Sequence, residues 1–500
     1  MRKLYIFAVG GTGSRVLKSF TMLLASGVKA NNQDPFQIVP VIIDPHSGNL
    51  DFQRTNRLLE NYMTITKDIG IGNGFFGNEM LTLRDLNPQA SRLPSTFTYG
   101  LKEVNGALFK DYIGYAHMNE ANRGLAEVMF SGKTVDKRNQ EIDLLDIEMD
   151  IGFIGNPNIG SVVLNQFKDS DEFREFASSF TNNDRVVIIS SIFGGTGAAG
   201  FPIIVKNIRN AMAIDDINSR GFLRDAKIGA ITVMPYFNVA PDKKSPIQKS
   251  EFIAKTKAAL SYYQSNMHGA IDMLYYISDD LNGKAYKNDP GNGGQQNLAH
   301  FIELAAATAI IDFMEVRDDR FSCRDGVVSR PVYKEFGVQT KSSHLQFSHL
   351  EHTTRDKIRM GLAQLLLLKK YLDEHLREAM TIQPWTIAVP PVDRALTDLS
   401  FYSTHLTEFL NAYVEWLNEM RENGRSFGPF SPSGDLKVYI NEHHAHLPWH
   451  FFGKFSYKSM DKMLNKLSVK GKYTNSKDKL VRLFYDATGS MLNKFYKINS

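Results

Sequence analysis

Ser191-Ile-Phe-Gly-Gly-Thr-Gly-Ala-Ala-Gly-Phe-Pro202 decides more about this fold than any other stretch of the chain. Before it, Arg185 to Ile192 is apolar and β-branched, the composition of a buried strand. After it, Pro202 to Met212 has helical spacing. A glycine turn that opens a helix straight after a strand lets backbone N–H groups approach a ligand. The helix N-terminus adds orphan donors and a positive dipole end, which favour phosphate. A second turn of this kind, Gly10-Gly-Thr-Gly-Ser14, follows an apolar strand at Lys3 to Val9. It leads into a helix, Ser14 to Ser26, with Val16, Leu17, Phe20, Leu23 and Leu24 on one side. Thr12, Ser14 and Thr196 are candidate hydroxyl donors. Either turn alone reads equally well as a tight strand-to-helix connection. Two named motifs fail: Val16 stands where the dinucleotide fingerprint needs Gly or Ala, and Phe201 stands where the phosphate loop beginning at Gly195 needs Lys.

Outward from these turns the chain alternates strands and helices. Ile38 to Ile43 is a short apolar strand ending at Asp44-Pro45, and residues 50–150 read as a long, partly helical connection. Gly155-Asn-Pro-Asn-Ile-Gly160 is a loop, followed by a polar helix from Asp171 to Phe180. Lys227 to Val233 is a strand that runs into Met234-Pro-Tyr-Phe-Asn238. A helix (Pro246 to Gln264), a strand (Met273 to Ile277, then Ser278-Asp-Asp280) and a long apolar helix (Leu298 to Met314) complete the pattern. This order predicts an α/β fold of Rossmann type with a parallel sheet. Beyond residue 320 the chain reads as mostly helical, with strands at Val332 to Val338 and Leu345 to Phe347 and helices at Arg355 to Ala379, Leu406 to Met420 and Leu480 to Tyr496.

The 500 residues are 43% hydrophobic and 22% charged, proportions that exclude disorder over most of the chain. One cysteine, Cys323, excludes a disulfide framework and any Cys-rich zinc module and fits a reducing cytoplasm. No apolar run reaches the roughly 18 residues of a membrane span, and Gly10 and Gly11 end the N-terminal apolar run too early for a signal peptide. No metal site is expected. The cluster His443, His444, His446 and His450 lies among Trp449, Phe451 and Phe452 and reads as an aromatic corner. The net charge of +4 is uneven: residues 451–500 hold eleven Lys or Arg against three Asp, about +8. Lys454, Lys458, Lys462, Lys466 and Lys470 recur every four residues, one ribbon on a helix. That ribbon is a solvated face or a contact for an acidic partner, a DNA-bound adaptor or a membrane surface.

Taken in order, the loops resemble those of the tubulin/FtsZ family of guanine-nucleotide-binding, filament-forming proteins. Ala8-Val-Gly-Gly-Thr-Gly-Ser14 looks like the family's first nucleotide loop, and Val41-Ile-Ile-Asp44 like its second strand and following acid. Gly155-Asn-Pro-Asn-Ile-Gly160 is similar to the bacterial Ala-Asn-Pro-Glu-Ile-Gly loop, and Ser191 to Pro202 to the Gly-Gly-Gly-Thr-Gly signature. Ala230-Ile-Thr-Val-Met-Pro-Tyr-Phe237 is similar to the ribose loop. Asp272 to Asp280 is similar to the next strand, and Leu298 to Met314 falls at the central helix. The resemblance implies GTP or GDP with Mg2+, held through Gly10, Gly11, Thr12, Gly13, Ser14, Arg15, Asp44, Gly155, Asn156, Pro157, Gly160, Gly194, Gly195, Thr196, Gly197, Ala198, Pro235, Asn238 and Asp279, with Phe301 stacking on the base. It also implies self-association, in filaments controlled by the terminal phosphate.

Departures bear on function. Phe193, Ala198 and Ala199 replace two glycines and a hydroxyl of the signature. Arg15 stands where the family has an Asn that reads guanine, and Ala305 where it has Asn or Asp. Asp279 or Glu303 are the carboxylates that could accept from guanine instead, although Glu303 reads more plainly as a surface residue. The family's acidic loop after the central helix has no counterpart; Asp318 and Asp319 are the nearest candidates for a catalytic role, which leaves GTP hydrolysis open. A nucleotide-binding domain over 1–315, a helical or α+β domain over 316–450 and a basic segment over 451–500 are expected. The alternative is a non-polymerising, nucleotide-responsive scaffold that binds a partner through its C-terminal region.

Overall fold

The computed structural model describes residues 1–30, 35–45, 50–89, 93–136, 140–149, 153, 155–215, 217–236, 238–239, 249–279, 285–286, 297–338, 340–431, 436–440 and 455–496. The histidine cluster at 443–450 and Lys454 lie outside them. Seven strands form one sheet: β1 (Arg2–Val9), β2 (Phe36–Ile43), β3 (Thr98–Tyr99), β4 (Arg185–Ser191), β5 (Lys227–Val233), β6 (Met273–Ile277) and β7 (Val332–Phe336). Their order across the sheet is β7-β6-β5-β4-β1-β2-β3, and every pairing is parallel. The expected α/β class is therefore the observed one. β1 and β4 read as continuous apolar runs because both of their faces are covered.

The helices used below are α1 (Gly10–Ala25), α2 (Leu50–Ile69), α3 (Pro157–Leu164), α4 (Gly195–Arg209), α5 (Lys249–Asn266), α6 (Phe301–Glu315), α7 (His352–Glu374), α8 (Leu376–Ile382), α9 (Pro384–Ile387), α10 (Thr407–Glu422), α11 (Tyr457–Ser468) and α12 (Ser476–Phe495). The two-residue period of β1 sorts the core into two layers. Tyr5, Phe7 and Val9 face one layer with α3, α4 and the helix Asp171–Ser179. Leu4, Ile6 and Ala8 face the other with α1, α2, α6 and the C-terminal helices. The long connection 50–150 contributes α2 and the helix Glu120–Met129.

α6 lies against the sheet at Gly229, where a Cβ would come within 2.8 Å of the Phe313 ring. Its last turn is capped from below by Arg185, the first residue of β4. The guanidinium donates to the carbonyls of Phe313 (2.7 Å), Met314 (3.2 Å) and Val316 (2.6 Å), which satisfies orphan acceptors at a helix C-terminus.

The basic segment over 451–500 packs on the body through α12. Leu480, Val481, Leu483, Phe484, Ala487 and Leu492 of α12 are buried in the same cluster as α1, α2 and α7. Gln364 of α7 donates to the Tyr485 carbonyl at 2.7 Å, and the Tyr485 ring covers Gly27 and Gly74, both at positive φ. Lys479 is buried and donates to the carbonyls of Ala388 and Pro390. The ribbon's lysines on α11 face solvent, whereas Lys479 and Arg482 further along fasten α12 to the body.

Phe484, packed on Tyr371 at 4.8 Å and Trp385 at 5.5 Å, sets a test. Phe484→Ala is expected to cost about 3–5 kcal/mol in urea unfolding, and a chain ending at residue 450 is expected not to fold. A truncated chain with an unchanged cooperative melt would contradict the shared core.

Candidate nucleotide site

In a parallel sheet with helices on both faces, loops at the carboxyl ends of the strands converge. Here β1 ends at Val9 and α1 begins at Gly10; β4 ends at Ser191 and α4 begins at Gly195. Asn156 caps α3, whose first residue is Pro157. The three turns touch. A Cβ on Gly10, which has φ +72°, would lie 3.4 Å from Thr196 Cβ. One on Gly195 would lie 3.0 Å from the Asn156 nitrogen and 3.1 Å from the Gly155 nitrogen, and one on Gly160 would lie 2.9 Å from Ala199 Cβ. Glycine is needed at Gly195 because backbone meets backbone, at Gly160 because Ala199 closes on it, and at Gly10 because its φ is left-handed. Three helix N-termini therefore point into one place, the donor set that anions seek. Ser14 Oγ is buried there without a hydrogen-bond partner among the described residues.

The structure brings together Gly10, Gly11, Thr12, Gly13, Ser14, Gly155, Asn156, Pro157, Gly160 and Gly194 to Ala198 at this edge. Asp44 and Pro235 follow the ends of β2 and β5 at the same edge. Asn238 lies in a two-residue strand, Asn238–Val239. Lys255 of α5, which sequence reasoning did not single out, donates to the Gly155 carbonyl at 3.0 Å. A cavity of about 670 Å³ lies beside the turns, walled by Asn156, Phe193, Ala198, Lys206 and Tyr262 among others.

The side expected to hold the base is filled by the protein itself. Arg15 is buried and donates to Glu303 Oε1 (2.7 Å), the Tyr236 hydroxyl (2.7 Å), Asp51 (3.3 Å) and Thr12 (3.4 Å). Tyr236 in turn donates to Glu303 at 3.0 Å. Glu303 is thus no surface residue, contrary to the plainer sequence reading. It closes a capping box with His300, accepting from the His300 N–H at 3.2 Å while His300 Nδ1 accepts from Ile302 N–H at 3.0 Å. Histidine at the cap hid this box, since Ser, Thr, Asp or Asn would have announced it. Burial opposes charge on Arg15, but Tyr236, Glu303 and Asp51 outweigh it and hold the guanidinium charged. Phe301 is buried against Phe427 at 5.2 Å. Asp279 is paired with Arg425.

Asp318 and Asp319 lie at the opposite edge of the sheet, past the far end of α6. Asp318 is bound to Arg185 at 2.9 Å and Lys227 at 3.0 Å, the first residues of β4 and β5. Burial pushes its carboxyl up, but these two cations prevail and hold it below the usual carboxylate range. Asp319 pairs with Arg317 at 2.7 Å. Neither acid reaches the glycine turns of its own chain. Among the described residues no group of three or more His, Cys, Asp or Glu is placed to hold a metal ion.

A parallel sheet with glycine turns at the carboxyl ends of its strands and a long central helix is what the resemblance implied. The fold is α/β, with one parallel sheet of seven strands covered by helices on both faces. No protein-family model matches the chain, and no curated protein does. Among solved structures, CetZ from Methanosaeta thermophila strain DSM 6194 matches at 12% identity over 64% of this chain and 55% of that one, with a TM-score of 0.29. CetZ2 from Haloferax volcanii, described as a GTPgS-bound protofilament, matches at 11% identity over 63% and 60%, with a TM-score of 0.30. The chain thus spans little more than half the length of these structures. Overlap at that level adds no weight, and the fold statement rests on the chain's own sheet and turns.

Two tests follow from the buried network. Arg15→Ala is expected to destabilise the protein by about 3–5 kcal/mol because it strands the Glu303 carboxylate, whereas Arg15→Met with Glu303→Leu should recover most of that loss. Urea unfolding of both variants measures it. Burial, with Arg15 and Arg425 nearby, pulls His300 from 6.5 down to about 3. Between those pH values the unfolded chain binds the extra proton, so stability conferred by His300 falls as pH drops through about 6.5 toward 3. The stability of the wild type relative to His300→Asn should therefore decline over that window in paired unfolding curves.

Proposed function

We propose that the chain binds a nucleoside triphosphate, GTP by the family resemblance, with its phosphates on the three touching turns Gly10–Ser14, Gly155–Gly160 and Gly194–Ala198. The observation that carries this is the convergence of three helix N-termini at one edge, with backbone donors close together and a buried Ser14 hydroxyl lacking a partner. A triphosphate is recognised there by N–H groups and dipoles, so the loss of side-chain hydroxyls at Ala198 and Ala199 does not remove the donor set. Asp44, at the end of β2, is the carboxylate at this edge suited to an accompanying Mg2+. The base side fits less well: the places of Arg15, Glu303 and Phe301 are taken up by internal contacts, so affinity comes mainly from the phosphates.

Self-association is part of the same proposal. The turns occupy one edge of the sheet and Asp318 and Asp319 the other, so copies stacked head to tail would bring these two carboxylates, with their Arg185, Lys227 and Arg317 partners, to a phosphate-binding edge. The ties of Asp318 to Arg185 and Lys227 favour a second reading, a scaffold that binds nucleotide without polymerising or hydrolysing it.

Titration calorimetry with GTP and Mg2+ tests the first claim. Binding is expected, and Gly195→Val should weaken it at least about tenfold by driving a side chain into the Gly155–Asn156 backbone. A folded wild-type protein that binds no nucleoside triphosphate would refute the proposal. Negative-stain microscopy with and without GTP separates the readings: nucleotide-dependent filaments support assembly, and single particles under both conditions support the scaffold.

A further inference from the structure

The surface around α11 combines two features that rarely share one patch. The first is unopposed positive charge. Lys458, Lys462 and Lys466 are exposed along the helix, and Lys470 and Lys472 follow it, also exposed. None of the five makes an ion pair among the described residues. Of the acids on these helices, Asp461 is buried against His375 (2.8 Å) and Tyr371, Glu374 meets Lys370 at 2.7 Å, and Glu378 lies 3.4 Å from His375. The second feature is a set of protruding aliphatic side chains. Val469 is 85% exposed, Val389 90%, Ile387 69% and Ile382 59%.

Helix geometry and hydrogen bonds put the two sets side by side. At about 100° per residue, Lys458, Lys462, Lys466 and Val469 fall within an arc of about 80°, and Asn465 lies at its margin. Asn465 fixes the neighbour: its Oδ1 accepts from the Trp385 N–H at 2.9 Å and its Nδ2 donates to Gln383 Oε1 at 3.0 Å. Gln383 and Trp385 sit between Ile382, the end of α8, and Ile387, the end of α9. The Val389 loop is held through its flanking carbonyls by buried Lys479 of α12. The opposite face of α11, with Met460 and Leu464, is in the core. The patch is thus carried on a fixed platform.

We propose that this patch docks the protein on an anionic lipid bilayer, with lysines at the headgroups and Val389, Val469 and Ile387 inserted among them. Lysines near such a surface each contribute attraction that falls off within a Debye length. Exposed branched side chains cost little in water when scattered but gain on entering the acyl boundary. Nucleic acid would use the charge but not the aliphatics, and no aromatic or arginine stands in the arc to stack on bases. No helix among the described residues is long and apolar enough to cross a membrane, so attachment is peripheral.

Flotation of the full chain with vesicles tests this. Wild type should float with vesicles of phosphatidylcholine and phosphatidylserine in equal parts, not with phosphatidylcholine alone, and raised salt should weaken the binding. Lys458→Gln with Lys462→Gln and Lys466→Gln should reduce it on the order of a hundredfold. Val389→Ser with Val469→Ser should reduce it at least about fivefold with no change in affinity for a mixed-sequence DNA duplex. These side chains face solvent, so melting curves should stay as in the wild type. Equal binding to both vesicle types would overturn the proposal. So would valine variants that float like wild type, or a duplex that binds the wild type more tightly than the anionic vesicles do.

Discussion

Arg15 is buried, and much of the structure is arranged around that fact. It belongs to α1, which is buried on nearly every side, Lys18, Ser19 and Thr21 included. A guanidinium in such a place must find its counter-charges within the protein. Glu303 comes from the central helix, Asp51 from α2 and Tyr236 from the turn after β5. The same enclosure explains Lys18 and Arg54, which share Glu419 of α10 at 3.3 and 2.5 Å, and Trp416, which donates to Ser19 Oγ at 3.1 Å. Helices far apart in sequence are locked to α1 by these ties, and the glycine turn at its start is held in register with Gly195 and Gly155.

The strands and the glycine turns were legible because their signals are local. Apolar β-branched runs ended by glycine announce buried strands wherever they occur, Gly10 has a left-handed φ, and Gly195 sits where its backbone approaches that of Gly155. The central helix was legible for the same reason. What stayed hidden depended on coverage by distant chain. Val16, Leu17, Phe20, Leu23 and Leu24 suggested a helix with one apolar side, yet α10 and α12 help cover the rest of that layer. Glu303 looked like a surface residue because nothing near it in sequence reveals that Arg15 lies opposite. The C-terminal lysines repeated at helical spacing, but which of them face water was decided by the packing of α12, where Lys479 is buried.

A division of labour emerges from the geometry. The carboxyl edge of the sheet gathers backbone donors and needs few cations, since helix dipoles and N–H groups supply the positive potential. The amino edge holds Arg185 and Lys227 sharing Asp318, and Arg185 also caps the central helix. Exposed lysines are displayed on α11, which is fixed to the body through Asn465. The proposed phosphate edge and the proposed lipid-facing patch thus fall on separate parts of the chain, the turns after β1 and β4 and the exposed face of α11.

The central claim is that three separate turns act as one phosphate receptor. Amide hydrogen exchange of the full chain with and without GTP and Mg2+ tests it most directly. The account predicts concerted slowing at Gly11 to Gly13, Asn158 to Gly160 and Thr196 to Ala198. Slowing at one turn alone, or at none of the three while GTP is bound, would contradict it.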